Sequence, residues 1–220
     1  EKGLYRQLCA SCHGESGQGR GPVAASQNPY PREFRLGLFK YKSTARKFKP
    51  VKSDIARALR KGLTGSQMPL FNKLPDDKIY SLVDYVIFLS IRGEFERKLL
   101  YGAAYELDLE KDRIYNVSLK ESSDSDSKKQ WDGQIETANE ILKGIADAWV
   151  ESADGVQEFD LPSFPLFGSE TADNRSELHE SLAEGRKLYL SQEAAFAKCH
   201  AESARGSGPQ LHDSEDWTKH

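Results

Sequence analysis

GLYRQLCASCHGESGQGRGP, residues 3–22, holds two cysteines three positions apart with a histidine directly after the second: Cys9, Cys12 and His13. On one helical turn, thiols at that spacing reach the two vinyl groups of a porphyrin, and the histidine that follows faces the iron. A Cys-x-x-Cys pair alone also serves as a redox couple or as half of a zinc cage. Neither requires His13, and the third and last cysteine, Cys199, makes no second such pair. The motif therefore predicts at least one covalently bound haem c.

Working outward, 220 residues hold one or two domains, and a hydrophobic share of 38% favours two small units over a single large core. No apolar run approaches the ~20 residues of a spanning helix. The longest, VDYVIFLSI (83–91), is interrupted by Asp84 and Tyr85. The chain reads as soluble, with membrane association only through an anchor or complex outside it. It starts at Glu1 without methionine or signal peptide, as a mature exported form would. Covalent haem attachment after export points to the periplasm.

The net charge of −3 conceals an asymmetry. Arg32 to Lys61 carries eleven Lys/Arg against two acids, whereas residues 94–184 carry 22 acids against nine Lys/Arg. A basic zone near a haem edge would steer a redox protein with an acidic docking face. The bland alternative is a solvated face with a few lysines packed on apolar surface. Nucleic acid is excluded as a partner, because the chain is acidic overall and no binding module accompanies the basic stretch.

Local signals in residues 1–93 are helical. Gly3, Leu4, Tyr5 and Leu8 open a short helix into the motif, glycines 14, 17, 19 and 21 rule out regular structure, and Pro22 ends the turn. Ser53 is a candidate cap for a helix with Ile55, Ala58 and Leu59 on one face, stopped by Gly62. Pro75, Asp76 and Asp77 start a last helix; Ile79, Leu82, Val83, Val86 and Leu89 recur at its spacing, and Gly93 is expected to stop it. Between these helices TGSQMPLF carries Met68, the only methionine, 55 residues after His13. That separation lets the chain return to the opposite haem face with a soft thioether ligand. The alternative is a methionine that fills a core gap.

With these residues in place, 1–93 resembles a class I cytochrome c. The resemblance implies a mainly α fold whose first and last helices cross beside the haem, with Gly3 and Tyr85 at the contact. It also implies that the carbonyl of Pro22 accepts the proton of the second nitrogen of His13, fixing the ring.

Composition shifts after Gly93, and residues 94–184 read as an acidic, partly helical connecting region. ESSDSDSKKQWDG (121–133) reads as a mobile loop. Ile135, Ala138, Leu142, Ile145 and Trp149 form a helical stripe expected to pack on the first unit. LPSFPLFG (161–168) reads as an extended loop. Asp154, Glu158 and His179 read as solvated.

A repeat decides the C-terminal reading. CHGESGQGRGP (12–22) and CHAESARGSGP (199–209) align without a gap and agree at seven of eleven positions. Leu188 and Tyr189 match Leu4 and Tyr5, and Phe196 stands where the first thiol would be. Residues 185–220 are thus expected to begin a second cytochrome c-like unit, incomplete in this chain. Cys199 and His200 could hold a second haem through one thioether, hold it by coordination alone, or stand empty. His212 and His220 are the later candidates for its sixth ligand, with surface histidines as the alternative. Two such units with the stretch PREFRLGLFKYKST (31–44) resemble bacterial di-haem c-type cytochromes of respiratory chains. That implies an electron-transfer protein with iron bound by His13, Met68 and His200, and no catalytic residue. The competing readings are a di-haem peroxidase and a haem-based redox or gas sensor.

Overall fold

A computed structural model of the chain describes residues 3–105, 117–158 and 175–205. The chain divides into two units, Glu1–Glu158 and Phe159–His220. In the first, α1 (Leu4–Leu8) and α2 (Ala10–His13) lead into 3-10 turns at Ala24–Ser26 and Phe34–Leu36. There follow α3 (Lys52–Lys61), α4 (Asp76–Tyr105), α5 (Val117–Lys120), α6 (Ser125–Val150) and a 3-10 turn at Glu151–Gly155. The second holds α7 (Arg175–Leu190) and α8 (Phe196–His200). The fold is mainly α, as expected.

The core forms around α4. Ile79, Leu82, Val83, Val86 and Leu89 are at most 3% exposed and pack against Tyr5, Cys9, Ala10, Phe34, Ile55 and Leu59. Burying each such aliphatic side chain contributes about 1.5–3 kcal/mol, so this one stripe holds α1, α2 and α3 together. On α3 the inner face carries Ile55, Ala56 and Leu59, with Ala58 only half-buried. Ser53 lies inside α3 instead of capping it, because the helix begins one residue earlier, after Val51. Gly62 does end it, at φ +65.

Gly93 does not stop α4. The helix runs through it to Tyr105, and a Cβ there would overlap the side chain and Cα of Arg35. The glycine is a packing notch for the turn Phe34–Leu36, so the expected boundary after residue 93 is crossed by a continuous helix.

The connecting region joins the first unit in the way its apolar stripe suggests. Ala138, Ile145 and Trp149 of α6 are buried and Ile141 packs on the core, while Leu142 is exposed. The polar stretch expected as a loop is helical from Ser125, because the carboxylate of Asp124 accepts the Ser127 N–H at 2.9 Å and caps the first turn. The short α5 lies against this end of α6, with the ammonium of Lys120 6.0 Å from the Trp131 ring centre.

Past α6 the chain is strapped to the loop before α3. The Ala45 N–H donates to the Gly155 carbonyl at 2.7 Å, and the Gln157 N–H to that of Ser43 at 3.0 Å. The loop is tied in turn to α3, where buried Asp54 accepts from the Ser43 N–H and hydroxyl. Behind it Lys49 donates to both carboxylate oxygens of Glu94 at 2.7 Å and to the Gly37 carbonyl at 3.0 Å, its ammonium 5.7 Å from the Trp149 ring centre. Both side chains of this ion pair are only 15–16% exposed. Removing the carboxylate charge strands a buried ammonium, so Glu94→Gln is expected to cost about 1–3 kcal/mol, read as a lower denaturation midpoint at unchanged slope. LPSFPLFG (161–168) lies outside the described residues.

Candidate haem site

Cys9 joins α1 to α2, its N–H bonded to the Tyr5 carbonyl at 2.8 Å, and Cys12 and His13 follow on the next turn. Neither cysteine is engaged in a disulfide. Cys9 is buried, and burial, with Cys12 nearby, pushes its thiol up to about 11. Cys12 is half-buried and its sulfur receives the Gln27 side-chain amide at 3.1 Å.

His13 is 7% exposed, with its ring stacked on Phe34 at 4.5 Å between centres. Its Nδ1 lies 3.0 Å from the carbonyl of Arg32. Pro22 is exposed, and its carbonyl is not the partner. A carbonyl can only accept, so Nδ1 carries the proton and Nε2 keeps a free lone pair. Burial, opposed by this hydrogen bond, holds the imidazole below its ordinary pKa and keeps it neutral. A neutral ring oriented through its second nitrogen is the form that ligates iron.

The glycine-rich loop brings Arg32 there. Gly19, at φ +70, donates its N–H to the His13 carbonyl at 2.8 Å, and a Cβ on it would stand 2.7 Å from the Pro31 carbonyl oxygen. Only a residue without Cβ lets 31–33 run so close to the motif. Gly21 faces the motif itself, where a Cβ would overlap the carbonyl oxygens of Ala10 and Ser11. Backbone cannot yield as a flexible side chain would. Gly21→Ala is therefore expected to destabilise by about 1–3 kcal/mol and to lower the yield of haem-bearing protein, measured as haem absorbance per chain.

The crossing of α1 and α4 is carried by Tyr5 and Tyr85, whose ring centres lie 4.9 Å apart. Gly3 takes no part in a close contact, since a Cβ on it would meet nothing within 4 Å. The buried hydroxyl of Tyr5 donates to the carbonyl of Gly14 at 2.9 Å, and burial raises its pKa, keeping the donor proton in place.

Met68 is half-buried and packs on the core from a shaped loop. Its N–H donates to the Ser66 hydroxyl at 3.2 Å, and the Phe71 N–H reaches back to the Leu59 carbonyl. Gly62 lets the Met68 carbonyl pass 2.8 Å from where a Cβ would be.

The second motif repeats local features of the first. The Tyr189 hydroxyl donates to the carbonyl of Ala201, the residue after His200, at 2.7 Å, as Tyr5 does to the residue after His13. Ala201 and Ala204 have φ of +61 and +57 where aligned Gly14 and Gly17 have +76 and +78. Alanine in that region costs about 1–2 kcal/mol, so the loop shape persists against local preference. Phe196 is exposed and stacks on Tyr189 at 6.0 Å; Cys199 is half-buried and His200 exposed. His179, Asp154 and Glu158 are exposed, as expected. His212 and His220 lie outside the described residues.

Arg32 and Phe34 are the site residues that motif reading missed. A backbone carbonyl carries no residue-type signal, but a stretch held to the motif by Gly19 was the available hint.

Among the described residues no helix is long and apolar enough to cross a membrane. The curated proteins contain no match to the chain. A solved structure, the reducing HAO-like protein complex of Kuenenia stuttgartiensis, matches at 23% identity and a TM-score of 0.51, over 93% of this chain and 62% of that one. The chain thus spans less than two thirds of that relative, and the likeness is one of fold. Residues 2–86 match the family model for cytochrome C oxidase, cbb3-type, subunit III. That match covers a unit similar to the class I c-type cytochromes, whose members carry haem c.

Proposed function

We propose that the chain is an exported, periplasmic electron carrier of a respiratory chain, not an enzyme, with a first haem c attached at Cys9 and Cys12. The observation that carries this is the buried His13, whose Nδ1 lies in hydrogen-bond reach of the Arg32 carbonyl, which leaves Nε2 for iron. When bound, haem c supplies an iron that cycles between ferrous and ferric states. The protein's own work is to hold that iron in one geometry. Cys9 and Cys12 would hold the porphyrin, the Arg32 carbonyl orients the imidazole of His13 that would bind its iron, and Met68 would offer a thioether from its loop.

The test is Met68→Ala. It is expected to retain covalent haem, to lower the reduction potential in a redox titration, and to admit an added ligand such as imidazole. An unchanged potential and spectrum would remove Met68 from the ligand set.

A second haem belongs to the same reading, held by one thioether from Cys199 and by His200, with Phe196 in place of the missing thiol. What supports it is the shared tyrosine-to-carbonyl bond and the glycine-like backbone kept at Ala201 and Ala204. Two haems would make the chain a relay. Its sixth ligand is to be sought at His212 or His220.

The proposed partner is a redox protein with an acidic docking face. Much of the basic zone is internally engaged: Arg35 with Glu33, Lys49 with Glu94, Lys52 with Asp84, Arg57 with Asp54 and Arg60 with Asp76. Lys42 donates to the carbonyls of Ala45, Arg46 and Phe48. The cations turned to solvent on the strapped loop are Lys40, Arg46 and Lys47, which narrows the docking charge to this stretch.

A further inference from the structure

Four aromatic rings run in unbroken contact from the candidate iron ligand to α6. His13 stacks on Phe34 at 4.5 Å and 17° between planes, and Phe34 lies nearly parallel to Phe39 at 6.2 Å. Phe39 meets the Trp149 ring edge-on at 5.9 Å. All three steps fall within the contact range of interacting rings. Phe34 and Trp149 are buried and Phe39 is half-buried. The next residue, Val150, is 80% exposed, so the row ends one residue from solvent.

Two of these features have no structural necessity. Trp149 brings an indole N–H that is buried with no hydrogen-bond partner, a cost of about 1–3 kcal/mol that phenylalanine would avoid. The row also leaves the residues matched by the family model and ends on α6, an element that model does not cover. Charge of both signs is exposed around that end: Lys40, Arg46 and Lys47 on the strapped loop, and Glu151, Asp154 and Glu158 on the segment after Val150.

We infer that the row His13–Phe34–Phe39–Trp149 is an electron route from the iron to a port at the C-terminal end of α6. The inference rests on the proposed haem site at His13. Contacting π systems couple donor and acceptor better than the gaps that aliphatic side chains would leave. One electron crosses per event, and no proton or bond moves with it.

The experiment uses holo-protein with a ruthenium(II) tris(diimine) label attached through Val150→Cys. Flash-quench oxidation produces Ru(III), which takes one electron from ferrous iron; iron becomes ferric and ruthenium returns to Ru(II). Phe39→Leu is expected to slow this step several-fold, and Phe39→Tyr to keep it fast. The absorption spectrum, the reduction potential and the rate to a label at Lys73→Cys are expected to stay unchanged. Equal rates in wild type and Phe39→Leu, with haem bound and spectrum intact, overturn the route alone. A chain that takes up no haem at Cys9 and Cys12 overturns the proposed site and the route together, and its missing absorbance separates that result from the first.

Discussion

Trp149→Ala is expected to cost about 3–5 kcal/mol and to free the C-terminal half of α6 from α4 and the strapped loop. The indole packs on Phe39 and under the Lys49 ammonium, in the same buried cluster as Ile145 and Leu89. Its removal leaves a cavity at the joint where α4, α6 and the strapped loop meet. The loss is expected near the lower end of that range, because the alanine variant also removes the unpartnered N–H. Trp149→Phe keeps most of the apolar contact without the donor, so its denaturation midpoint is expected close to wild type. Protease cleavage within α6 that appears in the alanine variant only is the companion readout. Equal stability of all three chains would mean that α6 does not dock as described.

The second large effect is on the cofactor. His13→Ala removes the imidazole while leaving both thiols, so the chain is expected to carry covalent haem without a stable low-spin spectrum. Added imidazole is expected to restore that spectrum, since it replaces the lost ligand without needing the chain. Cys12→Ser, by contrast, is expected to leave a single thioether at Cys9 and an intact His13 spectrum. A His13→Ala protein with wild-type absorption would place the iron elsewhere.

Much of the site was legible because its chemistry is local. Cys9, Cys12 and His13 are neighbours in the chain, and the α4 stripe repeats at helical period, so residue type and spacing alone carry both. Met68 stood out for being unique in a loop shaped by Gly65, Ser66 and Pro69. What stayed hidden is tertiary or lies in the backbone. The Arg32 carbonyl has no signature of its own, and the resemblance pointed instead to Pro22, which the structure leaves exposed.

Gly93 misled for a related reason. Propensity marks a glycine as a helix stop, yet the energy of packing Arg35 against α4 outweighs the ~1 kcal/mol that glycine costs within a helix. Residues 121–133 misled in the opposite sense. Their polarity suggested a loop, but Asp124 and Ser127 are a helix cap, and α6 is held by its apolar face further on. The row from Phe34 through Phe39 to Trp149 joins residues far apart in sequence, and no local period announces it.

The measurement that tests the central claim most directly is the intact mass and pyridine haemochrome spectrum of the denatured protein, followed by mapping of its tryptic peptides. The account predicts haem that survives denaturation on the peptide holding both Cys9 and Cys12, with the spectrum of two saturated vinyl groups. Free thiols at both cysteines, in protein made where haem attachment operates, would contradict it.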